Sequence, residues 1–233
     1  MKKIALFVLV ALALASSAWA YNDDFSTGVN SAWLTWDSNW SWDAGQYRGS
    51  SAGDSATIRS DWTASGLWTY QADMTLVSQP GVTADSNIGL WRVSDNSIGI
   101  LAGVTRFEDG DRRAVLLNVQ YLDNINWQWS TLLQAGWYEP VPDTIFHLKL
   151  ERVDASDLMF TVTGNQGFSY TSGKLSLSAS AIDGATIPGL RVYARTCTFD
   201  NVSLTTVPEP SSLLALFAGV SGLLMGYRRR SLR

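Results

Sequence analysis

Leu67-Trp68-Thr69-Tyr70-Gln71-Ala72-Asp73-Met74-Thr75-Leu76-Val77 alternates apolar and polar residues. In an extended chain Trp68, Tyr70, Ala72, Met74 and Leu76 share one face, and Thr69, Gln71, Asp73 and Thr75 share the other. Successive strand side chains point to opposite faces, so this pattern predicts an antiparallel strand with one face on a core. The period returns from Thr144 to Val153, with Phe146, Leu148 and Leu150 inward and His147, Lys149 and Glu151 outward. Asp154-Ala155-Ser156-Asp157 supplies a turn, and Leu158, Phe160 and Val162 lead back, which predicts a hairpin. Runs at 87–93, 97–107, 113–122, 126–134, 174–179, 189–194 and 196–205 read as further strands. Gly, Asp, Asn and Ser clusters separate them, notably Glu108-Asp109-Gly110-Asp111. So many short strands with almost no helical pattern predict an all-β, two-sheet antiparallel sandwich.

Composition agrees. Seventeen of the acids are Asp and four are Glu, and Asp favours turns over helices. Residues 21–206 are long enough for one domain with a sizeable core. They carry 11 Lys+Arg against 20 Asp+Glu, a net of −9. That balance argues against nucleic acid as a partner, which needs a basic patch. Cys197 is the only cysteine, so an intrachain disulfide is excluded and the core must supply stability.

Both ends carry targeting features. Lys2 and Lys3 precede an apolar run from Ile4 to Leu14, and Ala18-Trp19-Ala20 offers small residues where a signal peptidase reads. Residues 1–20 therefore read as a cleaved signal peptide, with the mature chain starting at Tyr21. At the other end, Pro208 and Pro210 hold Val207-Pro208-Glu209-Pro210 extended. Ser211 to Tyr227 carries no charge. As a helix those residues would rise roughly 25 Å, close to the ~30 Å hydrocarbon core, so one transmembrane helix is expected over 211–227. In the basic tail 228–233, Arg228, Arg229, Arg230 and Arg233 would stop translocation and remain cytoplasmic.

Motif, helix and arginine cluster in this order resemble the PEP-CTERM sorting signal of exosortase substrates in Gram-negative bacteria. The resemblance covers residues 207–233. It implies membrane tethering by the helix, exosortase as a partner, removal of the anchor near Pro208–Pro210, and a final place at the cell surface or in an exopolysaccharide matrix. The residues alone also fit a plain single-span anchor.

Asp23-Asp24-Phe25-Ser26, the stretch from Leu67 to Met74, Phe146 to Arg152, and Thr198-Phe199-Asp200-Asn201-Val202 together resemble concanavalin A/laminin G-like jelly rolls of exported bacterial proteins. That likeness implies a jelly-roll sandwich over 21–206 whose first and last strands are neighbours, bringing Asp24-Phe25 beside Phe199-Asp200. Asp24 and Asp200 then become candidate ligands of a structural calcium ion, which takes six to eight oxygens. Solvated turn acids are the alternative reading. No other cofactor is expected.

The residues for catalysis are sparse. Glycoside hydrolysis needs two carboxyls about 5–9.5 Å apart. Before the tail the glutamates are Glu108, Glu139 and Glu151, no two on one strand face, and Asp109 and Asp111 fall in a turn. His147 is the only histidine, and Glu151, four residues on, would lie about 13 Å away in a strand. A G-x-S-x-G nucleophile elbow is missing, and one His with one Cys excludes a zinc set. No enzyme activity is expected, with a jelly-roll hydrolase or lyase as the alternative.

Ten tryptophans follow Trp19. Alternation assigns Trp40, Trp42, Trp68, Trp127 and Trp129 to the core. Ile88 and Leu90 take the inward face of their strand, which leaves Asn87, Gly89 and Trp91 outside. Trp137-Tyr138 reads as a loop. Aromatic faces stack on sugar rings, so a glycan site is sought at Trp91, Asn118, Gln120, Gln128, Trp137 and Tyr138. The expected whole is an exported surface or matrix protein that binds glycan or takes part in matrix assembly.

Overall fold

The computed structural model describes residues 19–76, 84–92, 94, 98–109, 112–123, 128–137 and 143–207. Two antiparallel sheets pack face to face. The nine-stranded sheet contains β1 (Trp19–Asp23), β3 (Trp40–Asp43), β4 (Gln46–Ser50), β6 (Leu67–Leu76), β11 (Ile145–Arg152), β12 (Asp157–Gly164), β13 (Ser169–Thr171), β14 (Leu175–Ser176) and β16 (Thr196–Val207). Its order is β13-β12-β11-β6-β16-β4-β3, with β1 beside β16 and β14 beside β12. The seven-stranded sheet contains β2 (Trp33–Thr35), β5 (Asp54–Arg59), β7 (Ala84–Arg92), β8 (Ile98–Asp109), β9 (Arg112–Asp123), β10 (Gln128–Trp137) and β15 (Ala185–Tyr193). Its order is β10-β9-β8-β7-β15-β5-β2.

The alternation of β6 is realised residue by residue: Trp68, Tyr70, Ala72, Met74 and Leu76 are buried, and their neighbours are half-buried. Phe146, Leu148 and Leu150 of β11 pack beside Leu158, Phe160 and Val162 of β12. From the facing sheet come Ile88, Leu90, Ile100, Ala102, Val104, Val115, Leu117 and Val119. The first and last strands are neighbours: β1 runs antiparallel to β16, with Tyr21 opposite Leu204 and Asp23 opposite Val202. The β3–β4 hairpin closes on Ala44-Gly45, both at positive φ (48° and 88°). Two such residues make the turn whose twist suits adjacent antiparallel strands.

Buried polar groups cross the core between the sheets. Tyr70 donates its hydroxyl to the Gly189 carbonyl at 3.0 Å. Trp40 Nε1 donates to Ser55 Oγ at 2.7 Å, and Trp33 Nε1 donates to Asp23 Oδ2 at 3.0 Å. Arg59 on β5 reaches Asp23 on β1 at 2.7 Å through Nη1 and Asp61 at 2.6 Å through Nε. Its guanidinium lies 4.9 Å from the Trp62 ring and 5.7 Å from that of Trp33.

Several expectations are corrected. The region 33–59 forms four strands that the sequence reading did not delimit. The acids Glu108 and Asp109 belong to the β8–β9 ladder, opposite Arg113 and Arg112, so both strands run further than expected. The 174–179 run is a two-residue strand followed by the short helix α1 (Ala179–Gly184). Ser178 caps it by accepting the Ala181 N–H. Trp40 is buried, but Trp42 is 50% exposed at the end of edge strand β3, its indole donated to the Phe25 carbonyl.

The expected signal cleavage after Ala20 falls within β1 and would leave Tyr21–Asp23 to pair with β16. Ala18, Trp127, Tyr138, Glu139 and residues 208–233 lie outside the described residues, and with them most of the expected signal peptide, the transmembrane helix and the basic tail. Among the described residues no helix is long and apolar enough to cross a membrane.

Arg59 and Asp23 are both largely shielded, with side-chain exposures of 6% and 12%. Removing one partner strands the other charge, at a cost of about 3 kcal/mol. Arg59→Ala should therefore lower Tm by roughly 6–12 °C in thermal unfolding followed by circular dichroism. A change under a degree would remove this pair from the fold's support.

Candidate functional site

The outward face of the seven-stranded sheet is built from alternate residues of each strand. On β7 these are Asp85, Asn87, Gly89 and Trp91, because Ile88 and Leu90 enter the main core. On β8 and β9 the same parity gives Leu101, Gly103 and Thr105, then Leu116, Asn118, Gln120 and Leu122. Cross-strand register aligns them into rows. One row runs Ala56, Arg191, Asn87, Gly103, Asn118, Gln134. The next runs Ile58, Gly189, Gly89, Leu101, Gln120, Thr131. Beyond them Leu122 stands opposite Trp129.

Trp91 therefore points outward as expected, but it is not an exposed platform. It is 1% exposed and packs with Ala56, Ile58 and Leu101 in a second apolar cluster, flanked by Ile98 and Ile187. Its ring lies across two glycines: a Cβ at Gly189 would sit 2.7 Å from it, and one at Gly89 3.0 Å. Glycine on both strands is what lets the indole lie against the backbone. Beside it, Asn87 is 1% exposed, and neither its amide oxygen nor its nitrogen has a hydrogen-bond partner. The Asn118 amide oxygen is likewise buried and unpartnered. Such groups each cost about 1–3 kcal/mol when left unmet.

Towards β10 the face opens. Asn118 and Gln120 are half-buried, Thr131 and Gln134 are exposed, and Trp129 is 44% exposed. The expectation that Trp129 enters the core is therefore corrected. Opposition to Gln128 and Ser130 shows that it faces away from them, not which side is the core. Asn87, Trp129, Thr131 and Gln134 are the residues that the sequence search missed. The signal available for Asn87 was its shared parity with Trp91.

Two acids of this face have partners. Arg191 donates to both Asp54 oxygens at 2.8 and 3.1 Å, and Asp85 accepts the Thr105 hydroxyl. The other sequence candidates are elsewhere. Gln128 is exposed at the start of β10 with opposite parity to Trp129. Trp137 ends β10 rather than lying in a loop. It turns inward, edge-on to Phe168 and Tyr170 at 5.0 Å each.

The outward face of the nine-stranded sheet carries a different group. His147 Nδ1 is 2.7 Å from Asp73 Oδ1, a contact the sequence reading missed when it placed His147 in solvent. Asn201, at positive φ in a bulge of β16, donates its amide to Asp73 Oδ2 at 2.8 Å. Asp200 stands opposite Asp73. Burial, then the charges of Asp73 and Asp24, hold its carboxyl above the usual range. The Ser26 N–H lowers that of Asp24. Asp24 and Asp200 thus interact electrostatically, yet among the described residues no three His, Cys, Asp or Glu side chains are grouped to hold a metal ion. Glu151 is occupied by Lys149 at 2.9 Å. Burial pushes the Cys197 thiol up to about 12, which makes it a poor nucleophile at neutral pH. Val207 ends β16 opposite Leu67.

No protein-family model and no curated protein matches the chain. Solved structures of similar fold include the CBM2 module of the evolved Dit of Lactobacillus casei BL23 phage J-1, with TM-score 0.61 and 8% identity over 82% of this chain and 97% of that one. The Lotus tetragonolobus seed lectin has TM-score 0.58 and 8% identity, over 82% of this chain and 100% of its own. The lectin from Bauhinia forficata in complex with GalNAc has TM-score 0.54 and 10% identity, over 81% and 98%. At such identities the likeness is one of fold. The domain is an all-β, two-sheet antiparallel sandwich of the kind seen in lectin and carbohydrate-binding-module jelly rolls.

Proposed function

We propose that this is an exported, exosortase-sorted surface or matrix protein whose jelly-roll domain binds a glycan without cleaving it. The observation that carries the binding reading is the set of Asn118, Gln120, Thr131, Gln134 and Trp129 on the open part of one sheet face. An amide both donates and accepts, so a row of them suits vicinal hydroxyls, and the half-exposed Trp129 ring offers an apolar surface for the C–H face of a sugar. The fold's likeness to lectins and carbohydrate-binding modules supports the same reading.

Affinity electrophoresis against a panel of polysaccharides tests this. Trp129→Ala should weaken retention by about three- to tenfold, the worth of one aromatic contact. Asn118→Ala should weaken it too while leaving Tm unchanged or raised, because it removes an unmet buried acceptor. Retention by neither variant nor parent on any glycan would end the reading, as would new reducing ends in a bound polysaccharide.

The sorting part rests on Val207, Pro208, Glu209, Pro210 and the apolar and basic residues that follow. Intact masses from cells with and without their exosortase should differ by loss of the chain beyond the Val207–Pro210 region. A mass ending at Arg233 in both would leave a plain membrane anchor.

Calcium at Asp24 and Asp200 belongs to the same proposal, with the ion relieving their mutual repulsion. The folded pKa of Asp200 is raised, so its carboxylate lowers stability once pH rises above its ordinary range. In chelator, Asp200→Asn should raise Tm at pH 7, and the gain should vanish on acidification below that range. Millimolar calcium should raise Tm of the parent and not of the variant. Equal response of both would remove calcium from this site.

A further inference from the structure

Sheet edges expose unpaired backbone N–H and C=O groups, and folded proteins blunt them with short strands, charge or proline. The nine-stranded sheet follows this rule. Its edge strands β3 and β13 have four and three residues, β14 has two, and β3 ends in Asp43, ion-paired to Arg48 at 3.0 Å. In the seven-stranded sheet, edge strand β2 has three residues. The other edge of that sheet, β10, does not follow it. Its ten residues, QWSTLLQAGW, contain no charge and no proline, and among the described residues it pairs only with β9. Gln128, Trp129, Ser130 and Thr131 are exposed along it, as are Gln134 and Gly136. The one interruption is a bulge between Thr131 and Leu133.

We propose that β10 is a self-association edge: two copies pair their β10 strands antiparallel about a two-fold axis, joining two seven-stranded sheets into one continuous sheet. Backbone groups fix the kind of partner, since only another extended strand satisfies a row of alternating donors and acceptors. A second copy is the occupant that fits. A strand paired antiparallel with its own copy is self-complementary by symmetry. An uncharged strand neither repels that copy nor selects a charged stranger. The two-fold axis would stand perpendicular to the sheet and keep both outward faces on one side. Trp129 and Gln134 of the two copies would then line one longer face. A single strand pair buries less than the ~1,600 Å² of a standard interface, so the dimer should be concentration-dependent.

Sedimentation of the full chain in mild detergent over a concentration series tests this. The weight-average mass should rise from one chain towards two. The double variant Gln128→Lys, Ser130→Lys sets like charges along the edge and should raise the dissociation constant at least about tenfold. Single cysteines at Ser130, Thr131 or Gln134 give a second measurement that does not depend on how the double variant folds. At least one of the three should yield a disulfide-linked dimer, whereas Ser169→Cys on β13 should not. One-chain mass at every concentration overturns the proposal. So does a dimer indifferent to the two lysines in a variant with native circular dichroism, which would place association in the apolar tail. Cross-linking at β10 no better than at β13 overturns it as well.

Discussion

One end of the sandwich hangs on a single buried cation. Arg59 leaves β5 in the seven-stranded sheet and meets Asp23 of β1 in the nine-stranded sheet, under the rings of Trp33 and Trp62. Asp23 also accepts from the Trp33 indole and from the Phe25 N–H. That last bond helps to hold Phe25 at φ 51°, a backbone region costly for a residue with a side chain. In that pose Phe25 is buried between Trp33 and Tyr47, and its carbonyl takes the Trp42 indole. A charge removed from water is expensive, and the aromatic rings offset part of that cost only because their positions are fixed. The clamp therefore specifies how β1 meets the facing sheet as much as it adds stability.

The parts of the fold that could be read in sequence are those where one face is core and the other is solvent. Strands β6, β11 and β12 meet that condition, and their inward residues fall where period-two alternation puts them. Strand β5 does not. Ser55 to Arg59 are all buried, and the alternation is inverted: polar Ser55, Thr57 and Arg59 turn to the facing sheet, while Ala56 and Ile58 lie under Trp91. Strands β2 and β3 are three and four residues long, too short for any period. Helix α1, six residues held by the Ser178 cap, is equally beneath the reach of a periodic signal.

The candidate site was legible in parity and illegible in cover. Trp91, Asn118 and Gln120 share a face because alternation fixes which side of a strand a residue takes. Nothing in alternation says that Trp91 lies flat over Gly89 and Gly189 while Trp129 stands half in solvent. Contacts across strands need register, which is why the Asp73–His147 pair, 74 residues apart, went unread.

The two outward faces differ in how their polar groups are satisfied. On the nine-stranded sheet, Asp73 is bonded to His147 and Asn201, and Lys149 to Glu151. Even so, Glu151 Oε2 is met only by that ion pair, and Thr198 Oγ1 has no hydrogen-bond partner. On the seven-stranded sheet, Asn87 sits buried with both amide atoms unmet, one strand from Gly103, whose missing side chain makes room for it. A sheet selected for stability alone would carry threonine or valine there, with higher strand propensity and no stranded amide. Asparagine fills the space that glycine leaves, but its amide goes unmet. What the fold leaves unmet on this face is therefore concentrated at Asn87 and Asn118.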